Sequence, residues 1–346
     1  MFSRLIGNEE VKVTLDRLLT TGRLPGSLLF TGEEGVGKKL FALEVAKALN
    51  CRNRVGAEAC DECSSCRRIA KSEFPPFSKD DDNKERLIWS EHADVAIARP
   101  YKQIIRVPVM RELEREANFR PFEGAARVFI IEDAEYMNEA ASNALLKVLE
   151  EPPPTTHLIL TTTNPTALLA TIRSRCQVIR FAPVAAEKIE KFLIDCEHTN
   201  SGDAELLARI SRGSIGRACA ADVDDYRERR DTMLTVLEAL TVTGNRVQLL
   251  RAAEELGAAR DRADYEASLA ILETLIRDAW GLALGRAADS VANVDVLSDL
   301  QRIAAELRSE KAASWLSIIE DLRGTLEVNI NKRIASDGLM LKMAAA

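Results

Sequence analysis

The residues with the clearest chemical signature are Gly32-Glu33-Glu34-Gly35-Val36-Gly37-Lys38. They fit the pattern G-x-x-x-x-G-K and lie between a short apolar run at 28–30 and a segment of helical periodicity at 38–49. Gly32, Gly35 and Gly37 allow consecutive backbone N–H groups to turn inward around a phosphate. The start of the helix adds partial positive charge, and Lys38 adds a full one. A glycine-rich turn alone is commonplace; the strand before it and the helix after it favour the phosphate reading. The pattern continues with Ser or Thr, whose hydroxyl holds Mg²⁺, but this chain has Lys39. An ammonium cannot ligate a cation, so phosphate contact could survive while metal placement suffers. Mg²⁺ neutralises the charge that develops in phosphoryl transfer, and hydrolysis here is expected to be weak or absent.

A second acidic motif is Val128-Phe129-Ile130-Ile131-Glu132-Asp133-Ala134-Glu135. An apolar strand ending in acids is where phosphate-loop enzymes carry a metal-organising and a water-activating carboxylate, usually Asp then Glu. The order here is Glu132 then Asp133, which moves each carboxylate by a methylene. Misplacement on the ångström scale costs on the order of 100-fold in rate. On this segment alone, a buried strand with solvent-facing acids would look the same.

Four of the seven cysteines, Cys51, Cys60, Cys63 and Cys66, fall close together. Zn²⁺ takes four thiolates tetrahedrally, and two-residue spacing lets neighbouring sulfurs turn toward one ion. The expected cofactor is therefore structural zinc, whose loss would unravel the loop. Thr171-Ile172-Arg173-Ser174-Arg175-Cys176 follows a predicted strand. Arg175 could be an ordinary surface residue, or in an oligomer it could reach a neighbour's γ-phosphate.

These motifs need a scaffold. Predicted helices at 8–19, 38–49, 108–119 and 138–150 alternate with strands at 28–30, 95–98, 104–105, 127–131, 157–162 and 178–181. Such alternation implies an α/β fold, a parallel sheet with helices on both faces. Pro152-Pro153-Pro154 stops the fourth helix. Residues 74–91, with Pro75-Pro76 and the run Lys79-Asp80-Asp81-Asp82, suggest an exposed loop. Beyond Pro183 the strand signal ends. A small helical unit at 184–224 and an all-α domain at 225–346 are expected, with gaps near Thr243-Gly244 and at 289–293. The net charge of −7 argues against a chain that coats nucleic acid by itself. No apolar run approaches the roughly 20 residues of a membrane span, and Met1-Phe2-Ser3-Arg4-Leu5 lacks the apolar stretch of a signal peptide. A cytoplasmic location is expected.

Across much of residues 1–220 the chain resembles the clamp-loader family of AAA+ proteins. The resemblance runs through the phosphate loop, Cys51 with Cys60-Asp61-Glu62-Cys63-Ser64-Ser65-Cys66, and Asn143-Ala144-Leu145-Leu146-Lys147-Val148-Leu149-Glu150-Glu151-Pro152. It continues through Thr163-Asn164-Pro165, Ser174-Arg175-Cys176 and Gly213-Ser214-Ile215-Gly216-Arg217. It implies an AAA+ α/β domain at 1–183 with a zinc module at 51–66, a helical lid at 184–224 and a C-terminal collar at 225–346 that oligomerises. It also implies that Arg175 acts in trans, that Thr163 or Asn164 senses nucleotide, and that Arg217 is the lid arginine. Among the family's subunit classes the chain is most similar to the bacterial delta-prime class. The motor subunits, gamma and tau, keep Thr after the phosphate-loop lysine and an Asp-Glu pair. The 329–335 segment is similar to delta-prime C-termini. The partners implied are gamma or tau, delta, the sliding clamp and, through the complex, primed DNA; no membrane is implied. Bound ATP with Mg²⁺ is left open by Lys39, Glu132 and Asp133. The rival expectations are an active motor subunit and a zinc-containing nucleic-acid-binding module.

Overall fold

The structure is a computed structural model that describes residues 2–71, 85–326 and 331–346. The acidic run at 79–82 and part of the 329–335 segment lie outside those residues. The chain forms two compact units, Met1–Phe192 with Arg212–Arg217, and Leu193–Ser211 with Ala218–Ala346. Residues 184–224 are thus divided between them.

The first unit is built on a six-stranded sheet: β1 (Ser27–Thr31), β2 (Ile88–Trp89), β3 (Val95–Ala98), β4 (Arg127–Ile131), β5 (Thr156–Thr162) and β6 (Gln177–Arg180), in the order β2-β3-β4-β5-β1-β6. All neighbours are parallel except the β2–β3 edge pair. Strands β1, β3 and β4 are buried along their whole length, which explains their apolar runs at 28–30, 95–98 and 128–131. The helices are α1 (Glu9–Thr20), α2 (Lys38–Asn50), α3 (Ser64–Ala70), α4 (Val107–Ala117), α5 (Glu139–Glu150) and α6 (Ala170–Arg173). They cover both faces. Phe30, Phe41, Val45 and Ile130 belong to one apolar core; Leu29, Phe129, Leu113 and Leu145 belong to the other. This is the expected AAA+ α/β architecture.

Two local expectations are corrected. Residues 104–105 are not a strand. Lys102 and Gln103 sit at φ of 49° and 59°, a tight turn that leaves only isolated bridges, Tyr101 to Ile104 and Ile105 to Met137. The 74–91 segment is not loop throughout, because Ile88 and Trp89 pair with Ile97 and Ala96 as β2. The cysteine segment contains α3, too short for its periodicity to stand out.

In the second unit the helices Val223–Glu238, Arg246–Gly257, Arg262–Ala283, Leu297–Glu306, Ser309–Leu326 and Lys332–Ala345 enclose an apolar core that includes Leu272, Ile276, Ile303 and Trp315. The buried Trp315 Nε1 donates to the Met343 carbonyl at 2.8 Å. At the gap near 289–293, Asp278 accepts from the backbone N–H groups of Ala292 and Asn293, each at 3.0 Å. Among the described residues no helix is long and apolar enough to cross a membrane.

Candidate functional site

Parallel strands deliver their carboxyl ends to one edge of the sheet, the edge where such folds place ligand-binding loops. At this edge β1 runs into the Gly32–Lys38 loop, β4 into Glu132 and Asp133, β5 into Thr163, and β3 into Arg99.

The loop folds as its glycines require. Gly35 and Gly37 have φ of 74° and 99°, a region that side-chain-bearing residues rarely occupy, and Gly37 caps the start of α2. Lys38 is 7% exposed and turns back onto its own loop, its Nζ donating to the carbonyls of Gly32 at 2.6 Å and Glu33 at 2.7 Å. Burial pushes the Lys38 ammonium below its ordinary pKa, while Asp133 opposes the shift. The 212–217 segment closes over the crest of the loop. Gly216 N–H donates to the Gly35 carbonyl at 3.0 Å, and Arg217 lies 3.4 Å from the Glu34 carboxylate. Arg217 therefore meets the phosphate loop at Glu34.

Glu132, Asp133 and Glu135 follow β4 together, with partners that no local spacing announces. Glu132 has one carboxylate oxygen 2.6 Å from the Lys39 ammonium and the other 3.4 Å from Arg99 Nε. Asp133 adopts φ of 48°. Burial raises its pKa, and the charges of Glu135 and Glu132 add to the rise. Glu135 accepts from Thr163, from the backbone N–H at 2.9 Å and from the hydroxyl at 2.7 Å. Burial would raise the Glu135 pKa, but those bonds outweigh it and hold the carboxyl below its ordinary value. Of the pair after β5, Thr163 is thus the residue linked to the acids. The Asn164 side chain instead accepts from Thr166 N–H at 3.2 Å and caps the turn that follows. Arg99 and Glu135 were missed from sequence. Glu135 stood in view, three residues beyond Glu132; for Arg99 the only signal was its place after β3.

Arg175 is elsewhere. It precedes β6, whose first residue Gln177 pairs with Leu28 near the start of β1, whereas the phosphate loop follows Thr31 at the other end. The two lie at opposite edges of the sheet, about 13 Å apart along the strand at ~3.3 Å per residue. The guanidinium is about one-third exposed and is held by the Thr171 carbonyl at 3.0 Å and the Glu150 carboxylate at 2.7 Å. Beside it Cys176 is buried, its thiol pushed up to about 12 by desolvation.

The cysteine cluster forms a separate centre. The sulfurs of Cys51, Cys60, Cys63 and Cys66 all lie within 4.8 Å of one another. Tetrahedral zinc at ~2.3 Å from each sulfur separates the sulfurs by about 3.8 Å, so the set fits that ion. Backbone N–H groups point at sulfur: Cys60 N donates to Cys51 Sγ at 3.2 Å and Cys63 N to Cys60 Sγ at 3.3 Å. Burial opposes ionisation of Cys63, but the backbone N–H groups of Cys66 and Arg52 and the adjacent thiols pull its pKa down to about 6. Asp61, at φ of 58°, ties the loop to α2 through Lys47 at 2.6 Å. These four thiols could hold zinc as a structural ion with no open position.

Comparison with known proteins agrees with this architecture. Residues 7–185 match the family model described as "DNA polymerase III, delta subunit". The chain is 30% identical over 325 residues to DNA polymerase III subunit delta' of Escherichia coli strain K12, covering 93% of this chain and 90% of that one. It is 26% identical over 321 residues to subunit delta' of Bacillus subtilis strain 168, covering 93% and 91%. Its likeness to E. coli subunit tau is 31% over 219 residues, 62% of this chain but 31% of tau. A match across nearly the full length of the delta' proteins, against a third of tau, decides between the subunit classes: the chain belongs to the delta-prime family of bacterial DNA polymerase III clamp-loader subunits.

Proposed function

We propose that this chain completes the ATP site of a neighbouring clamp-loader subunit through Arg175 and hydrolyses little or no ATP itself. One observation carries the reading. Arg175 lies at the sheet edge opposite its own phosphate loop, with part of its guanidinium exposed, so a nucleotide it serves belongs to another chain. The neighbours in this reading are motor subunits of the gamma or tau kind and a delta subunit. The assembly's task is to place a sliding clamp on primed DNA in the cytoplasm. Zinc at Cys51, Cys60, Cys63 and Cys66 keeps the 51–66 module folded. The helices after Pro183 serve as lid and collar. Arg217 and either Thr163 or Asn164 stand at the positions that in a working subunit would read nucleotide.

An arginine supplied in trans contributes roughly 10³ to 10⁵ in rate at the site it serves. A loader has several ATP sites, so total turnover falls by less. In a loader reconstituted with Arg175→Ala, assembly and zinc content stay at wild-type levels, while clamp- and DNA-stimulated hydrolysis slows. Arg175→Lys does not restore it fully, because an ammonium lacks the planar fork that spans phosphate oxygens. Wild-type hydrolysis and clamp loading by the Arg175→Ala complex would remove the mechanism. If the chain were instead an active motor, the isolated protein would turn over ATP at about 1 per second or faster. The altered Lys39, Glu132 and Asp133 predict negligible turnover.

A further inference from the structure

The acid that ends β4 is the group that would organise a metal in a working phosphate-loop site, together with the residue after the loop lysine. Here those two positions hold each other. Lys39 Nζ lies 2.6 Å from Glu132 Oε1, and Arg99 Nε lies 3.4 Å from Glu132 Oε2. Glu132 is mostly buried, with 14% of its side chain exposed. Mg²⁺ needs near-octahedral oxygen ligands at about 2.0–2.1 Å. At this site one expected oxygen ligand has become an ammonium, and the other has cations against both of its oxygens. The residues do not fit a divalent ion.

We propose that the Lys39 ammonium is the resident cation of this site. It ties the first turn of α2 to the end of β4 and takes the place of a divalent ion, so the first unit is held together independently of Mg²⁺. A mostly buried carboxylate left without a partner is costly, and one of the two positive partners of Glu132 here is covalently tethered to the phosphate-loop helix. The self-closure of the loop fits the same arrangement. Lys38 donates to the Gly32 and Glu33 carbonyls and so closes the loop on itself, and the Gly216 N–H donates to the Gly35 carbonyl and so joins the loop to the 212–217 segment. This inference rests on reading the Gly32–Lys38 segment as a phosphate loop. It is independent of Arg175.

The test uses the purified full-length chain and Mn²⁺ as the probe, with no hydrolysis measured. In wild-type protein the free-Mn²⁺ resonance signal is not diminished, and the thermal midpoint does not move on adding millimolar Mg²⁺ or Mn²⁺. Lys39→Thr lowers the midpoint in the absence of divalent ions and makes it ion-responsive. At ten times the dissociation constant, linkage shifts its folding equilibrium about 11-fold toward the native state. Glu132→Gln in the Lys39→Thr background abolishes that response, which excludes binding at the thiol cluster. Mn²⁺ binding by wild-type protein that is lost in Glu132→Gln would overturn the proposal; this arm stands whether or not the Lys39→Thr protein folds. Equal indifference of folded Lys39→Thr to both ions would overturn it as well. An Arg175→Ala loader with wild-type activity leaves all these outcomes unchanged, so the two readings fail separately.

Discussion

Removing zinc should change the number of thiols open to a water-soluble disulfide reagent from two to six. The count follows from the burial of seven cysteines. Cys196 and Cys219 are exposed and react in the native protein; Cys176 is buried and stays silent. The remaining four form the cluster, whose sulfurs lie within 4.8 Å of one another. Three of these are only partly buried, so a bound ion rather than the fold is what would protect them. Chelation frees all four, and because binding and local folding are coupled, the loop opens with them. The loss extends into the core, since Ala57, Cys66 and Ile69 are almost fully buried in the α2 face cluster. Exposing Ile69 alone costs roughly 1.5–3 kcal/mol, so the chelated protein melts at lower temperature. Burial and then the Glu197 charge raise the Cys219 pKa, which slows the reaction of that thiol. Titration before and after a strong chelator, alongside elemental analysis showing about one zinc per chain, measures all of this. Six reactive thiols in untreated protein, or a metal-free chain that keeps four thiols reduced, protected and thermally stable, would refute the reasoning.

Gly35→Ala should destabilise the first unit by about 2 kcal/mol or more, because a left-handed residue with a Cβ costs roughly 1–2 kcal/mol and the new methyl collides with the Ser214 hydroxyl; an unchanged urea midpoint would contradict the loop closure. A pH effect should come from Glu123, whose carboxyl the Arg68 guanidinium holds down at about 2, against the opposing effect of burial and with help from the Ala93 N–H. A depressed carboxylate contributes stability that is fully present above its unfolded pKa of about 4.3 and is lost as pH falls toward 2, so Glu123→Gln should flatten the melting temperature across that interval and leave its slope near neutrality alone.

What the sequence made legible was chemistry that short spacing enforces. Gly32, Gly35, Gly37 and Lys38 could be recognised because the turn they make demands glycine where φ is positive, and the structure has Gly35 and Gly37 there. The four cysteines could be recognised because a tetrahedral ion limits how their loop spaces them. The strand expected at 104–105 failed for the converse reason. Lys102 and Gln103 take positive φ without the Gly or Asn that normally marks such a turn, so nothing local distinguished the two isoleucines from a strand. Pairings between distant residues were invisible: Arg99 with Glu132, Glu135 with Thr163, and Glu150 with Arg175 each join segments that only the strand order brings together. Asp94 is the extreme case. Wholly buried, it accepts from the backbone N–H groups of Phe122, Glu123 and Gly124 at 2.6–2.9 Å and fixes the loop ahead of β4, yet in sequence it is one acid among many.

Lys39 shows how a correct local reading can still miss the consequence. From the sequence it is a lesion, a positive charge where a metal should sit. In the fold that charge has a partner, because Glu132 presents its carboxylate 2.6 Å away and leaves the site with its own counter-ion. An isolated added charge in a half-buried site would strain the unit or draw in an anion. A matched pair does neither and lets the sheet edge keep its shape without nucleotide or metal. The same sheet carries Arg175 at its other edge, held by Thr171 and Glu150, neither of which is among the carboxyl-edge groups. The two edges are therefore separable in physical terms. Substitutions at Lys39 or Glu132 are expected to act on the stability and ion response of this chain, and substitutions at Arg175 on the chemistry of its neighbour.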